Sequence, residues 1–453
     1  MRLHFRPQLP RAERYAAGQA LRHLSPRRAN AEWSPPKDRI DPLNILIRQG
    51  AKRLPKLLPV RYARMRPTPL TFLRGAAAVM ASDLARTANA GIFVQSCGDC
   101  HLNNFGTYAT PEGVPVFDIN DFDETAPAPF EWDLKRLSTS LVLAGGENGY
   151  SEKKSVALAA SMAANYVTEI AKLAELPPLQ AWNARINLLG VIDAVDDRKV
   201  REQLRARLKP QLASFTDQFG MVKPGPIPTF RDRPPLVVRL PERDESVRDA
   251  FARYLAALPQ ERRILLERYT LTDIVFKVVG VGSVGTFCAI GLFSSSDGEA
   301  LLLQIKEAGE SVLEEHLGSA GFANHGERVV VGQRIMQAAS DAFLGWTRDT
   351  ADAPDDEAAG RHFYVRQVKD ARLAAIGEHL GTDLLPFYAR LCGQALARAH
   401  ARSADLPTLA GYLGRGRGFS EAIAGFGKLY AEQTREDWKI FVKAIADGTI
   451  HAA

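Results

Sequence analysis

The sequence predicts an α+β protein with a mainly helical part and a β-rich part. Helical periodicity dominates residues 69–265, a β texture takes over across 266–372, and six prolines within 224–241 mark a linker. A basic extension, residues 1–68, precedes these parts, and a helical segment, 373–453, follows them. The chain has 453 residues, 46% hydrophobic and 24% charged. That is ordinary globular composition, which excludes disorder, collagen and coiled coil.

In chain order, Pro69 opens a helix read as running to Thr87. Ile92–Ser96 reads as a strand, followed by a loop, a short strand at 114–117 and an acidic loop. Helices follow at 131–143 and 151–176, the second opened by Ser151 and closed by Pro177 and Pro178. A charged helix is read at 196–220 and another helix at about 245–265. Asp273–Val279, Phe287–Phe293 and Ala300–Lys306 form a three-stranded meander with Gly-rich and Asp-Gly turns. A helix near 326–338, strands at 342–347 and 361–368, and a helical tail from 383 complete the reading.

No run approaches about 18 apolar residues, so no membrane-spanning helix and no membrane partner are expected. The N-terminus lacks the apolar core of a secretory signal. Four cysteines make no disulfide framework, and a cytoplasmic location is the default expectation. Residues 1–70 carry 16 Lys/Arg against 4 Asp/Glu, a net +12 that leaves −6 on the remainder. Such a segment could bind nucleic acid or another anion, or pack on the body as a solvated basic extension.

Three constellations could carry chemistry. Cys97-Gly98-Asp99-Cys100-His101-Leu102-Asn103-Asn104 parses as a haem-attachment motif, a zinc or redox half-site, or a Gly-Asp-x-His-x-x-Asn loop. The first requires export, and the second lacks a second cysteine pair. The third is a phosphoryl-transfer layout, in which the Asp accepts the acceptor's proton and the Asn ligates Mg²⁺. Next, Asp118, Asp121, Asp123 and Glu124 put four carboxylates into seven residues. A hard cation would relieve their repulsion; a solvated acidic turn is the plainer reading. Third, Gly280, Gly282, Ser283 and Gly285 sit between two strands rather than before a helix. That suits a Gly-rich hairpin over phosphates, with Lys306 on the third strand to pair them.

Phe72-Leu-Arg-Gly, the Cys97–Gly106 run, Phe117–Glu124, Glu131-Trp-Asp-Leu-Lys-Arg-Leu, Val279–Thr286, Leu303–Ala308, Gly332-Gln-Arg and Ala395–Arg402 together resemble the uncharacterised bacterial family called domain of unknown function 2252. That family is similar to kinase-like phosphotransferases of the aminoglycoside and choline kinase type. The resemblance implies a protein-kinase-like two-lobed fold with ATP and Mg²⁺ as cofactors. It implies Asp99 as the catalytic Asp, with His101 beside it in the motif, Asn104 and Asp121 as metal ligands, and Asp133 as an anchoring Asp. The roles of Asp118 and Asp123 stay open. In kinases the Gly loop precedes the catalytic loop; here it follows by about 180 residues, so the order reads as a circular permutation. Glu327 is the best-spaced glutamate to pair with Lys306, with Glu314 and Glu315 as rivals. The expected activity is Mg- and ATP-dependent phosphoryl transfer to the hydroxyl of a small-molecule or protein acceptor. The alternatives are a nucleotidyltransferase or ATPase on the same fold, or a non-catalytic nucleotide- or nucleic-acid-binding protein.

Overall fold

The computed structural model describes residues 9–193, 198–199, 201–203, 205–206, 221–223, 225, 228–232, 237–240, 243–277, 284–348, 360–368 and 384–453. Most of the expected 196–220 helix lies outside these residues, as do Gly280, Gly282 and Ser283.

The chain opens with helices α1 (Arg11–Leu24), α2 (Pro42–Gly50), α3 (Leu58–Met65), α4 (Pro69–Gly75) and α5 (Ala77–Leu84). Strands β1 (Phe93–Ser96), β2 (Phe105–Ala109), β3 (Pro115–Ile119) and β4 (Ala126–Pro129) follow, then helices α6 (Phe130–Glu147), α7 (Glu152–Ala174) and α8 (Pro178–Asn183). After β5 (Ile186–Asn187) and α9 (Leu188–Asp193) come the short strands β6 (Val222–Lys223), β7 (Thr229–Phe230) and β8 (Val237–Val238). Helices α10 (Asp244–Ala257) and α11 (Gln260–Leu266) lead into β9 (Thr270–Lys277), β10 (Cys288–Ser294) and β11 (Ala300–Glu307). Next are α12 (Glu314–Leu317), α13 (His325–Met336), β12 (Gly345–Arg348) and β13 (His362–Gln367). The helices α14 (Leu385–Ala401), α15 (Leu406–Leu413) and α16 (Arg417–Ala446) close the chain.

The meander β9–β11 is the centre of a six-stranded antiparallel sheet in the order β12-β13-β11-β10-β9-β8. Alternation on β11 gives each face its own task. Leu301, Leu303 and Ile305 pack with Phe251 and Tyr254 of α10. Lys306 shares its pleat parity with Leu302, which belongs to a different apolar cluster. The second core joins α6, α7, α14 and α15 to the strands around β1 and β3.

The expected helix 69–87 breaks at Ala76, whose backbone is non-helical at φ −115°, ψ 37°. Two buried guanidinium groups take carbonyls near the break: Arg136 Nη2 donates to Leu73 O and Arg61 Nη2 to Gly75 O, both at 2.7 Å. The 245–265 helix also divides, because Pro259 begins a new turn between α10 and α11. Residues 105–109, read as loop, form a strand paired with β3. Part of the proline-rich stretch, Val237–Val238, is an edge strand on β9.

Some of the described basic N-terminal residues pack on the body, while others, such as Arg28, Lys37 and Lys56, are exposed. Arg39 spans two buried carboxylates, Asp83 and Asp437, through four hydrogen bonds of 2.7–2.9 Å. Arg14 pairs with Asp405, and Arg22 and Arg27 donate to carbonyls at the end of α15. No helix among the described residues is long and apolar enough to cross a membrane.

Candidate functional site

The loop after β1 is held by a helix. Asp133, in the first turn of α6, accepts the Cys97 amide at 2.7 Å and the Gly98 amide at 3.1 Å. Its Oδ2 also meets His400 Nε2 of α14 at 3.0 Å. Gly98 has φ +78°, and a Cβ there would lie 2.2 Å from Glu124 O. Only glycine lets this loop close so tightly on the acidic loop.

Asp99 is thereby presented on a fixed backbone. Its Oδ1 accepts from Arg136 Nε at 2.8 Å and from Arg136 Nη2. Its Oδ2 lies 3.8 Å from His101 Nε2. Burial raises the Asp99 pKa, although Arg136 opposes the shift. His101 is buried, its Nδ1 finds no hydrogen-bond partner, and burial beside Arg74 and Arg136 holds it well below the usual histidine range. Asn104 donates from Nδ2 to Asp99 O at 2.6 Å, which turns its side-chain amide toward the loop backbone. Its carbonyl receives the Asn120 amide at 2.8 Å, joining this loop to the acidic one.

The acidic loop divides by role. Asp118 is buried on β3, where its oxygens accept the amides of Ile119 at 2.9 Å and Ala338 at 3.0 Å. It faces the Ala338 backbone and does not line the cleft that holds the other three carboxylates. Asp121 Oδ1 caps the Asp123 amide at 3.4 Å. Burial and neighbouring Asp123 raise its pKa. Asp123 goes the other way. Burial works against its charge, but Lys306 and the Tyr364 hydroxyl, which donates at 2.7 Å, outweigh it and hold it below the usual carboxylate range. Glu124 accepts the Val312 amide at 2.8 Å, and burial raises its pKa. Arg328, wholly buried, fixes the loop by donating to Thr125 O at 2.6 Å and Asp123 O at 2.8 Å.

Lys306 comes to this loop from the sheet. It is 2% exposed and forms its ion pair with Asp123. Glu327 lies in the first turn of α13, its amide capped by Asn324. Glu314 accepts the Ser311 amide and pairs with Arg328; Glu315 pairs with Arg48. The expected glutamate partner is thus replaced, in this arrangement, by an aspartate of the acidic loop. Gly285, the one described glycine of the Gly-rich turn, has φ +95° and gives its carbonyl to the Leu54 amide at 2.8 Å. Arg53 Nη1 donates to Val284 O at 2.6 Å, so the basic N-terminal segment clasps the turn.

These parts meet in one cleft. Asp99, Asp121, Asp123 and Glu124 line it together with Arg53, Arg61 and Arg74. A wider groove continues from Asp123, Glu124 and Arg53 past Thr286 and residues 307–312. Among the described residues, no group of three His, Cys, Asp or Glu side chains is placed to hold a metal. A nucleotide-bound Mg²⁺ does not require one, since phosphates and water fill most of its octahedron and one or two protein oxygens suffice. Asp121 suits that donor set: a carboxylate with its pKa raised beside a second carboxylate gains from a cation.

Cys97 and Cys100 are both buried and unbridged, and the Cys97 thiol donates to Asp121 O at 3.3 Å. Both belong to the apolar core, and Cys97 also lines the cleft. Sequence reasoning missed Arg136, Arg328, Tyr364, Arg53 and Arg61. For Arg136 a signal existed: it stands three residues after Asp133 on one helical face, so both can serve the same loop.

The fold and site define an α+β protein with a small polar cleft between two loops, one of which is tied to a sheet lysine through Asp123. Residues 53–444 match the model of a family described as "Uncharacterized protein conserved in bacteria" (DUF2252), and the chain belongs to that family. No curated protein and no solved structure matches it.

Proposed function

We propose that the protein is a Mg- and ATP-dependent phosphotransferase acting on a hydroxyl acceptor, built on a kinase-like arrangement whose nucleotide lobe comes late in the chain. The observation that carries this reading is the shared cleft of Asp99, Asp121 and Asp123, with Lys306 reaching it from a sheet strand 183 residues further on. Kinases bring the same residue types together: a loop Asp, a metal-binding Asp and a strand Lys behind a Gly-rich turn. The anchoring of Cys97 and Gly98 amides by Asp133 supports it too, because phosphoryl transfer depends on a rigidly placed loop.

In this reading Asp99 Oδ2 faces the acceptor hydroxyl, since Oδ1 is occupied by Arg136. The raised pKa suits a proton acceptor at neutral pH. Asp121, with the side-chain oxygen Oδ1 of Asn104, would hold Mg²⁺, whose chemistry is to neutralise charge on the phosphates. Lys306 releases part of its hold on Asp123 to meet a phosphate. Val284 and Gly285, which end the Gly-rich turn, give their carbonyls to Arg53 and to the Leu54 amide.

The test is thermal melting with ATP, with and without Mg²⁺, followed by product analysis. Mg-dependent stabilisation by ATP and release of ADP are expected. AMP transfer in place of phosphate transfer would assign a nucleotidyltransferase. No nucleotide effect at millimolar ATP would sink the reading.

A further inference from the structure

Away from the cleft, a pocket of about 400 Å³ opens where α1 meets the junction of α15 and α16. Its walls carry Arg22, Arg27, Arg415 and Arg417, with Tyr15 and Gln19. No carboxylate lines it, and it shares no residue with the cleft.

Arg22 and Arg27 are held side by side. Arg22 donates from Nε to Tyr412 O at 2.9 Å and from Nη2 to Gly411 O, and Arg27 Nη1 donates to Leu413 O at 2.6 Å. Gly414 has φ +59°, and a Cβ there would lie 3.2 Å from Arg22 Cζ and 3.3 Å from Arg27 Nη1. Both guanidinium groups therefore lie against the same glycine. Arg27 pushes the Arg22 pKa down, and what opposes it are the phenols of Tyr15 and Tyr412 rather than a carboxylate. Nη1 of Arg22 and Nε and Nη2 of Arg27 have no acceptor among the described residues.

Arg415 is exposed and forms no ion pair among the described residues. Arg417 pairs only with exposed Glu421, one turn further along α16. The first turn of α16 holds no acidic residue. Earlier on α1, Arg11 and Arg14 are matched by Glu175 and Asp405, so unmatched positive charge gathers at this pocket. Like charges fixed together cost free energy that a bound anion recovers, and guanidinium donors suit phosphate oxygens. Four arginines, one of them offset by Glu421, exceed the charge of roughly −2 on a single phosphate. A nucleic-acid strand needs a track of phosphate contacts, which the matched arginines of α1 do not extend. A concave pocket of this size suits a compact ligand.

We propose that this pocket is a second ligand site, which takes a small molecule carrying two or more phosphate groups through Arg22, Arg27, Arg415 and Arg417. It goes beyond the phosphotransferase reading and stands without it.

The experiment is calorimetry on the full chain with inorganic pyrophosphate, without Mg²⁺ and at matched ionic strength, with thermal melting as the fold control. Wild type is compared with Arg27→Gln, Arg415→Glu and Asp121→Asn. Wild type is expected to bind pyrophosphate more tightly than inorganic phosphate. Arg27→Gln should weaken that binding at least about tenfold, as loss of a charge-assisted hydrogen bond does, and Arg415→Glu should weaken it too. Asp121→Asn, which bears on the cleft alone, should bind as wild type does; loss of binding there would put pyrophosphate in the cleft and overturn the assignment. No binding to wild type at millimolar pyrophosphate, or equal binding to folded Arg27→Gln, overturns it as well. Should Arg27→Gln fail to fold, the exposed Arg415→Glu reads the same pocket, and unchanged affinity there overturns the proposal equally. A single-stranded oligonucleotide that binds through these arginines while pyrophosphate does not would replace the small ligand by nucleic acid and overturn the proposal. Absence of any Mg-ATP effect sinks the phosphotransferase reading alone.

Discussion

Lys306 and Asp123, 183 residues apart in the chain, form an ion pair in which the lysine is almost entirely buried and the aspartate only partly so. The pair joins the sheet to the acidic loop at the cleft. Lys306→Ala should therefore abolish stabilisation by Mg-ATP and also weaken the fold. A surface lysine would be lost at little cost. Here the change leaves Asp123 with Tyr364 and a poorly solvated charge, at roughly 2–4 kcal/mol. Asp123→Asn on the Lys306→Ala background should recover part of that loss, which chemical denaturation of the four proteins of the cycle would show.

Acid should act on the two aspartates with opposite sign. Asp123 has a lowered pKa in the folded state. Its contribution is therefore fully present above the unfolded value near 4 and is lost as pH falls below that. Asp121 has a raised pKa. It opposes folding at neutral pH, and the opposition fades as it takes up a proton. Asp121→Asn should then stabilise the nucleotide-free protein at pH 7 by on the order of 1 kcal/mol while removing Mg-dependent ATP binding. A melting curve unchanged or lowered by Asp121→Asn would contradict this.

Asp133→Asn should loosen the loop that presents Asp99. The carboxylate accepts two loop amides and faces His400. An amide side chain cannot accept on both atoms, so one donor is orphaned at about 1–3 kcal/mol. Hydrogen exchange at Cys97 and Gly98 should speed up specifically. Uniform exchange across the protein would mean the role is global stability only.

The double change Cys97→Ser, Cys100→Ala should keep the fold and Mg-ATP binding, since both thiols are packing groups whose burial raises their pKa. In the wild type, a thiol reagent should label neither until the protein unfolds. Asp99→Asn should remove turnover. It also weakens the partner of buried Arg136, so its melting temperature should fall and activity must be compared at temperatures where it is folded. Turnover retained in folded Asp99→Asn would end the assignment of this loop.

The site was legible where chemistry is local. Asp99, Asn104, Asp121 and Lys306 stand in short motifs whose residue types imply a role before any contact is known. The strands of the meander and helices α6 and α7 were likewise carried by period and by end signals such as Ser151, which caps α7. What could not be read depends on partners distant in sequence. That Asp123, not a helix glutamate, meets Lys306 is decided by how the acidic loop crosses the sheet. The break at Ala76 depends on arginines 15 residues before it and 60 after it, and propensity alone continues that helix. Arg53 and Arg61 were counted only as charge in a basic segment, because nothing local distinguishes an arginine that enters a cleft from one in solvent.

Arg39 grips Asp437 as well as Asp83, and α1 lies along α15. Residues 11–39 therefore close these contacts only after residues 406–437 have been synthesised. Until then α1 and α2 expose apolar faces, and Asp83 sits in a pocket without its cation. Closure of the helical core is in this sense late in synthesis, and products truncated before residue 437 should be chaperone clients rather than smaller working proteins.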